Sequence, residues 1–550
     1  MSHLNTRKRS SVSRLLPVAV AVLALLLAAS AHAAAPGIKG ISFNLNAGAA
    51  FNSQPDGELI YSWGYGCTNA SPSPATFAPS TVVGAVCPTV QFPGPTLIVT
   101  EGTNATFTVT LTNSLPAAAG NTSIVFPGLT VDPVASCAHP GLLTCEAAPG
   151  GTVTYTVHIP VGSAGTHAYY SGTQQDLQLE MGLFGAVIVL PSQTYGNCTT
   201  SYATGRIDFR LAQSAYDNNL TCYDREYLTQ WSEMDPRIHR QAEAQVRANA
   251  SCTAGAVGCS LNVATEPYHP NYFLINGRSM PDDMDANYAP NYPNQPYNGN
   301  PHMHPGELVL VRVIGQGHWQ HPFHEHGNHV RILGRDGNLL FAQANNPATG
   351  PNTATSSPLL AGRMEFNTDT TPGQAFDGIF YWSGKGLGWD IFGHTTANGA
   401  TNPPCNPDVN GYYTTASGAS APTYDGAGNF TGGAPNYYEW CQDHNVPLES
   451  NPIGLVGGGG PMTLFDPLIA TNGLWFNGTP YLGPDAVLRS RGPSPLPPGS
   501  ASQNPTPESG IAFMWHSHNE REITTNDVFP GGMLMMMLVD PYVWHIDESL

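Results

Sequence analysis

The stretch HWQHPFHEHGNH, residues 318–329, holds five histidines, and three of them, His321, His324 and His326, follow the spacing H-x-x-H-x-H. A second tight pair, His516 and His518 in FMWHSHNE, lies far downstream. Imidazole is the commonest protein ligand for copper and zinc. Residues two apart in a β-strand point to the same face, so each H-x-H presents two imidazoles side by side. Two such strands lying next to each other would bring four imidazoles, from His324, His326, His516 and His518, onto one cavity. The competing reading of either pair is a polar, solvated strand end.

The elements available to position these pairs are strands. With 59 Gly, 49 Pro and only 11% charged residues, the chain does not read as helical. TLIVTEG, NATFTVTLTN, GTVTYTVHIP, FGAVIVLP, GELVLVRVIG and GMLMMMLVD are short, β-branched or apolar runs bounded by Gly, Pro or Asn, the pattern of an all-β sandwich or barrel. Only DREYLTQWSEMDPRIHRQAEAQVRAN, around 224–249, reads as helix. The expected layout is a β-domain over 34–195, a cysteine-containing connector with a short helix over 196–265, and a second β-domain over 266–550. That second domain is interrupted by a Gly-, Pro-, Asn- and Ser-rich loop insertion at about 395–508. A compact third domain is the other parse of that interval.

Residues 1–33 read as a secretory signal peptide: four basic residues, a sixteen-residue apolar core (LLPVAVAVLALLLAAS) and AHA at Ala31–Ala33 as the cleavage site. The expectation is an exported chain, periplasmic or extracellular, with no membrane span in its mature form. The net charge of −19, less those four positive charges, becomes −23 for the mature chain. A surface that acidic repels phosphates and anionic lipid, which excludes nucleic acid as an expected partner. Ten cysteines fall as close neighbours: Cys67 and Cys87, Cys137 and Cys145, Cys198 and Cys222, Cys252 and Cys259, Cys405 and Cys441. Local disulfides are the favoured reading in an oxidising compartment.

Longer stretches carry a family resemblance. QFPGPTLIVTEGTNATFTVTLTNSLP resembles the opening of a multicopper oxidase, and GTHAYYSGTQQDLQLEMGLFGAVIVLP the end of its first domain. HPFHEHGNHVRILGRDG resembles that family's H-P-x-H-L-H-G-H, and FMWHSHNEREITTNDVFPGGMLMMMLVD its closing H-C-H-x-x-x-H-x-x-x-G-M. The landmarks run in the family's order from about residue 91 to 540. The resemblance implies tandem cupredoxin-like domains, Greek-key β-sandwiches, with copper as cofactor and a small-molecule reductant as partner.

Carried over position by position, the resemblance is partial. The first copper motif, H-W-H-G, corresponds to Val125-Phe126-Pro127-Gly128, and the second, H-S-H, to Tyr170-Ser171-Gly172; all four histidines are absent and His167 is off the pattern. At the electron-entry copper, His321 and Met533 match the family's ligands, but Ser517 stands at the cysteine and Glu522 at the second histidine. Serine cannot supply the thiolate of a blue copper centre. His324, His326, His516 and His518 match histidines that face the family's three-copper cluster.

The expectation is therefore a non-blue copper site on those four histidines, with His321, Met533 and Glu522 as a second tier. Zinc or another divalent metal would suit the same nitrogens, and Glu325 or Glu522 could add an oxygen. The expected function is that of a copper-binding protein resembling a multicopper oxidase, with oxidoreductase activity but not a complete laccase. The alternative is a redox-inactive secreted module used for binding or cell-envelope structure. His318 and His329 read as bystanders, His302 and His304 (NPHMHPG) as a solvated loop, and His394 as a lone loop histidine. The methionines of MLMMMLVD read as core packing, with Met533 alone carrying a family role.

Overall fold

The computed structural model describes residues 35–69, 72–82, 84–198, 205–341, 360–385, 406–434, 437–442, 511–540, 542 and 546. The expected signal peptide, most of the expected insertion, His394 and Cys405 lie outside them. The alternating runs form strands as their periodicity predicts. Thr106–Asn113 buries every second residue, and Thr152–His158 does the same, so each presents one face to a core.

The strands of the first domain are β1 (Gly37–Lys39), β2 (Ser42–Ser53), β3 (Leu59–Cys67), β4 (Thr76–Ala78), β5 (Leu97–Thr100), β6 (Thr106–Asn113), β7 (Thr130–Val131), β8 (Thr152–His158), β9 (Gly165–Tyr170) and β10 (Phe184–Leu190). They make two sheets, ordered β4-β1-β5-β10-β9 and β3-β2-β6-β8-β7. Phe43, Trp63, Phe107, Phe126 and Tyr155 fill the space between them. Parallel pairs β1·β5, β5·β10 and β2·β6 sit among antiparallel ones, the mark of crossover connections between two packed sheets.

The second domain repeats the plan with β11 (Arg225–Met234), β12 (Tyr272–Ile275), β13 (His302–Met303), β14 (Leu308–Gly315), β15 (His321–Glu325), β16 (Val330–Arg335), β17 (Asn338–Leu339), β18 (Met364–Glu365), β19 (Asn367–Thr370), β20 (Ala375–Tyr381), β21 (Thr423–Tyr424), β22 (Phe430–Gly432), β23 (Ile511–Ser517) and β24 (Leu534–Val539). One sheet runs β12-β11-β14-β20-β16-β17 and the other β13-β24-β23-β15-β19. Trp231, Phe323, Phe380, Phe513, Trp515 and the methionines Met533, Met535 and Met537 pack between them. The fold is all-β, tandem cupredoxin-like sandwiches, as expected. Among the described residues no helix is long and apolar enough to cross a membrane.

Two expectations are corrected. The 224–249 segment is not one helix: Arg225–Met234 is strand β11, buried along its whole length and paired parallel to β14. The helix, α1, starts only at Pro236 and ends at Ala248, with Asp235 as N-cap accepting from the Arg237 amide at 3.0 Å. Long-range pairing overrides local propensity in the first half, and the Asp-Pro start signal marks the true boundary. The second domain's sheet thus begins at Arg225, inside what reads as connector. Nor are His302 and His304 in a solvated loop. Both are fully buried, because β13 joins β24 as a parallel strand; His302 Nδ1 lies 2.8 Å from Asp540 Oδ2 and His304 stacks on Tyr542 at 4.4 Å.

Four of the five cysteine neighbours are bridged: Cys67–Cys87, Cys137–Cys145, Cys198–Cys222 and Cys252–Cys259. Cys441 is disulfide-bonded as well. The two sandwiches meet through Ala168, Ala186 and Ile188 of the first and Leu228, Ile314 and Ala375 of the second. A buried polar clasp crosses the same seam: Asp377 accepts from the Thr166 amide at 3.0 Å, from Tyr216 Oη at 2.7 Å and from Arg312 at 3.2 Å.

Candidate metal centre

Strands β15 and β23 are antiparallel neighbours, and their register sets His324 directly opposite His516. His326 lies two residues beyond His324, on the same face. The nitrogens of His324, His326 and His516 lie within 4.8 Å of one another. His518 is the looser fourth: its ring is 5.1 Å from that of His324 and 5.8 Å from that of His516, and it is exposed. Of the four histidines expected at a site, three converge and one stands at the rim.

Backbone carbonyls orient two of the three rings. His324 Nδ1 bonds the Phe366 carbonyl, and His516 Nδ1–H donates to the Ser517 carbonyl at 2.7 Å. Each bond leaves Nε2 unprotonated as the ligating atom. His516 Nε2 and His326 Nε2 are 3.3 Å apart. Two nitrogens bound tetrahedrally at about 2.0 Å sit about 3.3 Å from each other, so the spacing is that of a ligated pair. One shared proton would satisfy that pair too, but it would not require the third donor, His324. Burial lowers the His324 imidazole and, outweighing the Ser517 hydrogen bond, takes His516 down to about 4. Both are neutral at physiological pH, the form that binds metal.

Two of the three, His324 and His326, border a cavity of about 430 Å³ lined also by Glu325, Gly327, Asn328, His329 and Phe366. All of these belong to the second domain. Glu325 adds no oxygen on the histidine face, because alternation turns its side chain inward. There, among the described residues, its carboxyl oxygens have no hydrogen-bond partner, and burial holds the acid well above the usual carboxylate range.

The second tier is drawn together as well, but its atoms are committed elsewhere. His321 is fully buried between two carboxylates, with Nε2 2.9 Å from Glu233 Oε2 and Nδ1 2.8 Å from Glu522 Oε2. Glu522 also accepts from Ser517 Oγ and from Asn519 Nδ2. Met533 closes the group through its backbone, its amide on the Glu522 carbonyl and its carbonyl on the Ser517 amide. Both nitrogens of His321 are spent on carboxylates, so His321 offers no lone pair to a metal, and Glu522 already accepts three hydrogen bonds. A buried ion pair stands where the resemblance places an electron-entry copper.

Burial alone would lower His321, but the bonds and charges of Glu233 and Glu522 outweigh it and raise the imidazole to about 9. A pKa raised from its ordinary value near 6.5 contributes stability that is complete below about pH 6.5 and disappears as pH climbs through 9. Urea unfolding at pH 6.5 and pH 10 is expected to differ by roughly 3 kcal/mol from this group; His321→Gln should flatten that dependence. An unchanged slope in the variant would remove His321 as its source.

Sequence reasoning missed Glu233, because its strand reads as helix; the Asp235-Pro236 helix start two residues later is the signal that releases it. His318 is a neighbour rather than a ligand, its ring 5.1 Å from Tyr268 and its Nε2 3.8 Å from Glu180. In the first domain, the two positions where the resemblance places ligands are adjacent, as Val125 bridges Tyr170. Phe126 there packs on Phe107, Tyr155 and Tyr169, and Ser171 Oγ donates to Gln178 Oε1 at 2.6 Å. Apolar packing and closed hydrogen bonds fill these positions.

Residues 73–194 match the family model described as multicopper oxidase, the family that the sequence landmarks resemble. No curated protein matches the chain. Similar solved structures include the multicopper oxidase mgLAC, 13% identical, covering 91% of this chain and 85% of that one, with a TM-score of 0.41. A blue copper oxidase from Nitrosomonas europaea is 17% identical over 62% of this chain and 74% of that one, with a TM-score of 0.37. A laccase from Botrytis aclada is 16% identical over 63% and 47%, with a TM-score of 0.35.

Proposed function

We propose that this chain is an exported copper-binding protein whose single copper sits on His324, His326 and His516, with His518 at the rim, and that it acts as an oxidoreductase on a small reductant. The observation that carries this reading is the convergence of three imidazole nitrogens within 4.8 Å, two of them at the spacing of a ligated pair. The multicopper oxidase match over residues 73–194 supports copper over zinc. All-nitrogen ligation without a thiolate makes the site non-blue.

When bound, copper supplies one-electron chemistry between its two oxidation states. The chain's residues hold the imidazoles in register, orient two of them through the Phe366 and Ser517 carbonyls, and leave the cavity beside Phe366 open to a reductant. The pairing of β15 with β23 sets the donors in place before any ion arrives, which lowers the cost of binding. Four-electron reduction of oxygen is outside this reading, because the first domain brings no histidines to the motif positions and the electron-entry position holds an ion pair.

Ascorbate added to the copper-loaded protein tests the redox part. The expected outcome is loss of the Cu(II) signal under anaerobic conditions and its return in air. A Cu(II) signal that survives the reductant would favour the alternative, a redox-inactive binding or cell-envelope module.

A further inference from the structure

The sheet that carries the histidines continues on the same face into two methionines. In β23 the odd positions Phe513 and Trp515 enter the core, so Met514 and His516 share the opposite face. Met514 is the register partner of Met536 in β24, and the His326 amide donates to the Met514 carbonyl at 3.2 Å. His326, Met514 and Met536 therefore form a row across three adjacent strands, about 5 Å between neighbours. Met514 is only 6% exposed, yet among the described residues it is not part of the apolar core that takes Met533, Met535 and Met537. Met536 is partly exposed at that core's edge.

We infer that Met514 and Met536, together with His326, form a site for a soft monovalent cation, Cu(I) in the organism, contiguous with the three-histidine centre. The soft thioether favours Cu(I), whereas imidazole serves both oxidation states. His326 belongs to both sets, so the oxidised ion meets nitrogen alone and the reduced ion meets nitrogen with sulfur. The identity of the physiological cation rests on the copper reading above; the preference for a soft ion rests on the row itself. If the methionines only filled space, leucine would serve as well, since Leu and Met are close in volume.

Copper X-ray absorption on the mature protein, with Ag(I) titration as a redox-inert probe, tests the site. Cu(II)-loaded protein should show nitrogen or oxygen scatterers only, and anaerobic reduction should add sulfur. Met514→Leu with Met536→Leu should keep the Cu(II) stoichiometry, lose the sulfur signal and weaken Ag(I) binding roughly tenfold or more. A sulfur-free Cu(I) spectrum in the unsubstituted protein, or sulfur persisting in the double variant, would overturn the proposal. If the double variant does not fold, the unsubstituted spectrum and the single Met536→Leu variant, altered at the partly exposed position, decide it. Methionine-dependent Ag(I) uptake without Cu(II) uptake would reject the copper-centre reading and leave this site standing. Cu(II) uptake with sulfur-free Cu(I) would do the reverse.

Discussion

His516→Ala is expected to weaken copper binding roughly a hundredfold or more, since even partners that merely orient ligands cost 10–100-fold when removed. His516 is the residue on which the site's geometry converges. It faces His324 across the β15·β23 ladder, its Nε2 lies 3.3 Å from that of His326, and its ring is fixed by the Ser517 carbonyl. Without it, two imidazoles on one strand remain, and no tetrahedral pair. His518→Ala should cost less than tenfold, because that ring is exposed and outside the tight group. His329→Ala should leave affinity unchanged although His329 lines the cavity. Competitive Cu(II) titration ranks the three variants. If His518→Ala is as damaging as His516→Ala, the centre is a symmetric four-histidine site rather than three plus one.

Ser517→Cys combined with Glu522→His is expected to turn the colourless copper-loaded protein intensely blue. The two substitutions complete the set of two imidazoles, a thiolate and a thioether that defines such centres. The structure already brings these positions together: His321 Nδ1 and Ser517 Oγ meet on the same Glu522 oxygen, and Met533 is bonded through its backbone to both Ser517 and Glu522. Glu233 would keep holding His321 from its other nitrogen, the orienting role carboxylates play behind metal-bound histidines. Ser517→Cys alone should stay colourless, since Glu522 would still occupy His321 Nδ1. A folded, copper-loaded double variant without colour would show that Ser517 and Glu522 are not the former ligand positions. In the native chain the same point holds a histidine between two buried carboxylates, and removing one partner of such a cluster costs about 3–5 kcal/mol. The ion pair therefore both closes the position to copper and ties β11, β15 and the loop after β23 into one unit.

Much of this is legible in the sequence, for identifiable reasons. Alternation in TFTVTLTN or TVTYTVH records one buried face, and periodicity detects that directly. The H-x-H pairs are legible for the same cause, since alternation alone puts His324 with His326 and His516 with His518. Their being neighbours is not local information; it depends on which strands pair. Pairing between distant segments is also what turns REYLTQWSEM into a buried strand and pulls NPHMHPG out of solvent. Glu233 shows the cost of that blindness. A residue that decides the state of His321 sits in a segment whose local pattern reads as helix, 88 positions away in the chain.

The most direct measurement is copper content together with electron paramagnetic resonance of the purified protein after Cu(II) loading and removal of loose metal. The expected result is one copper per chain, a non-blue spectrum with nitrogen couplings, and loss of both in His516→Ala. A chain that retains no copper after loading, or one that is blue without substitution, would contradict it.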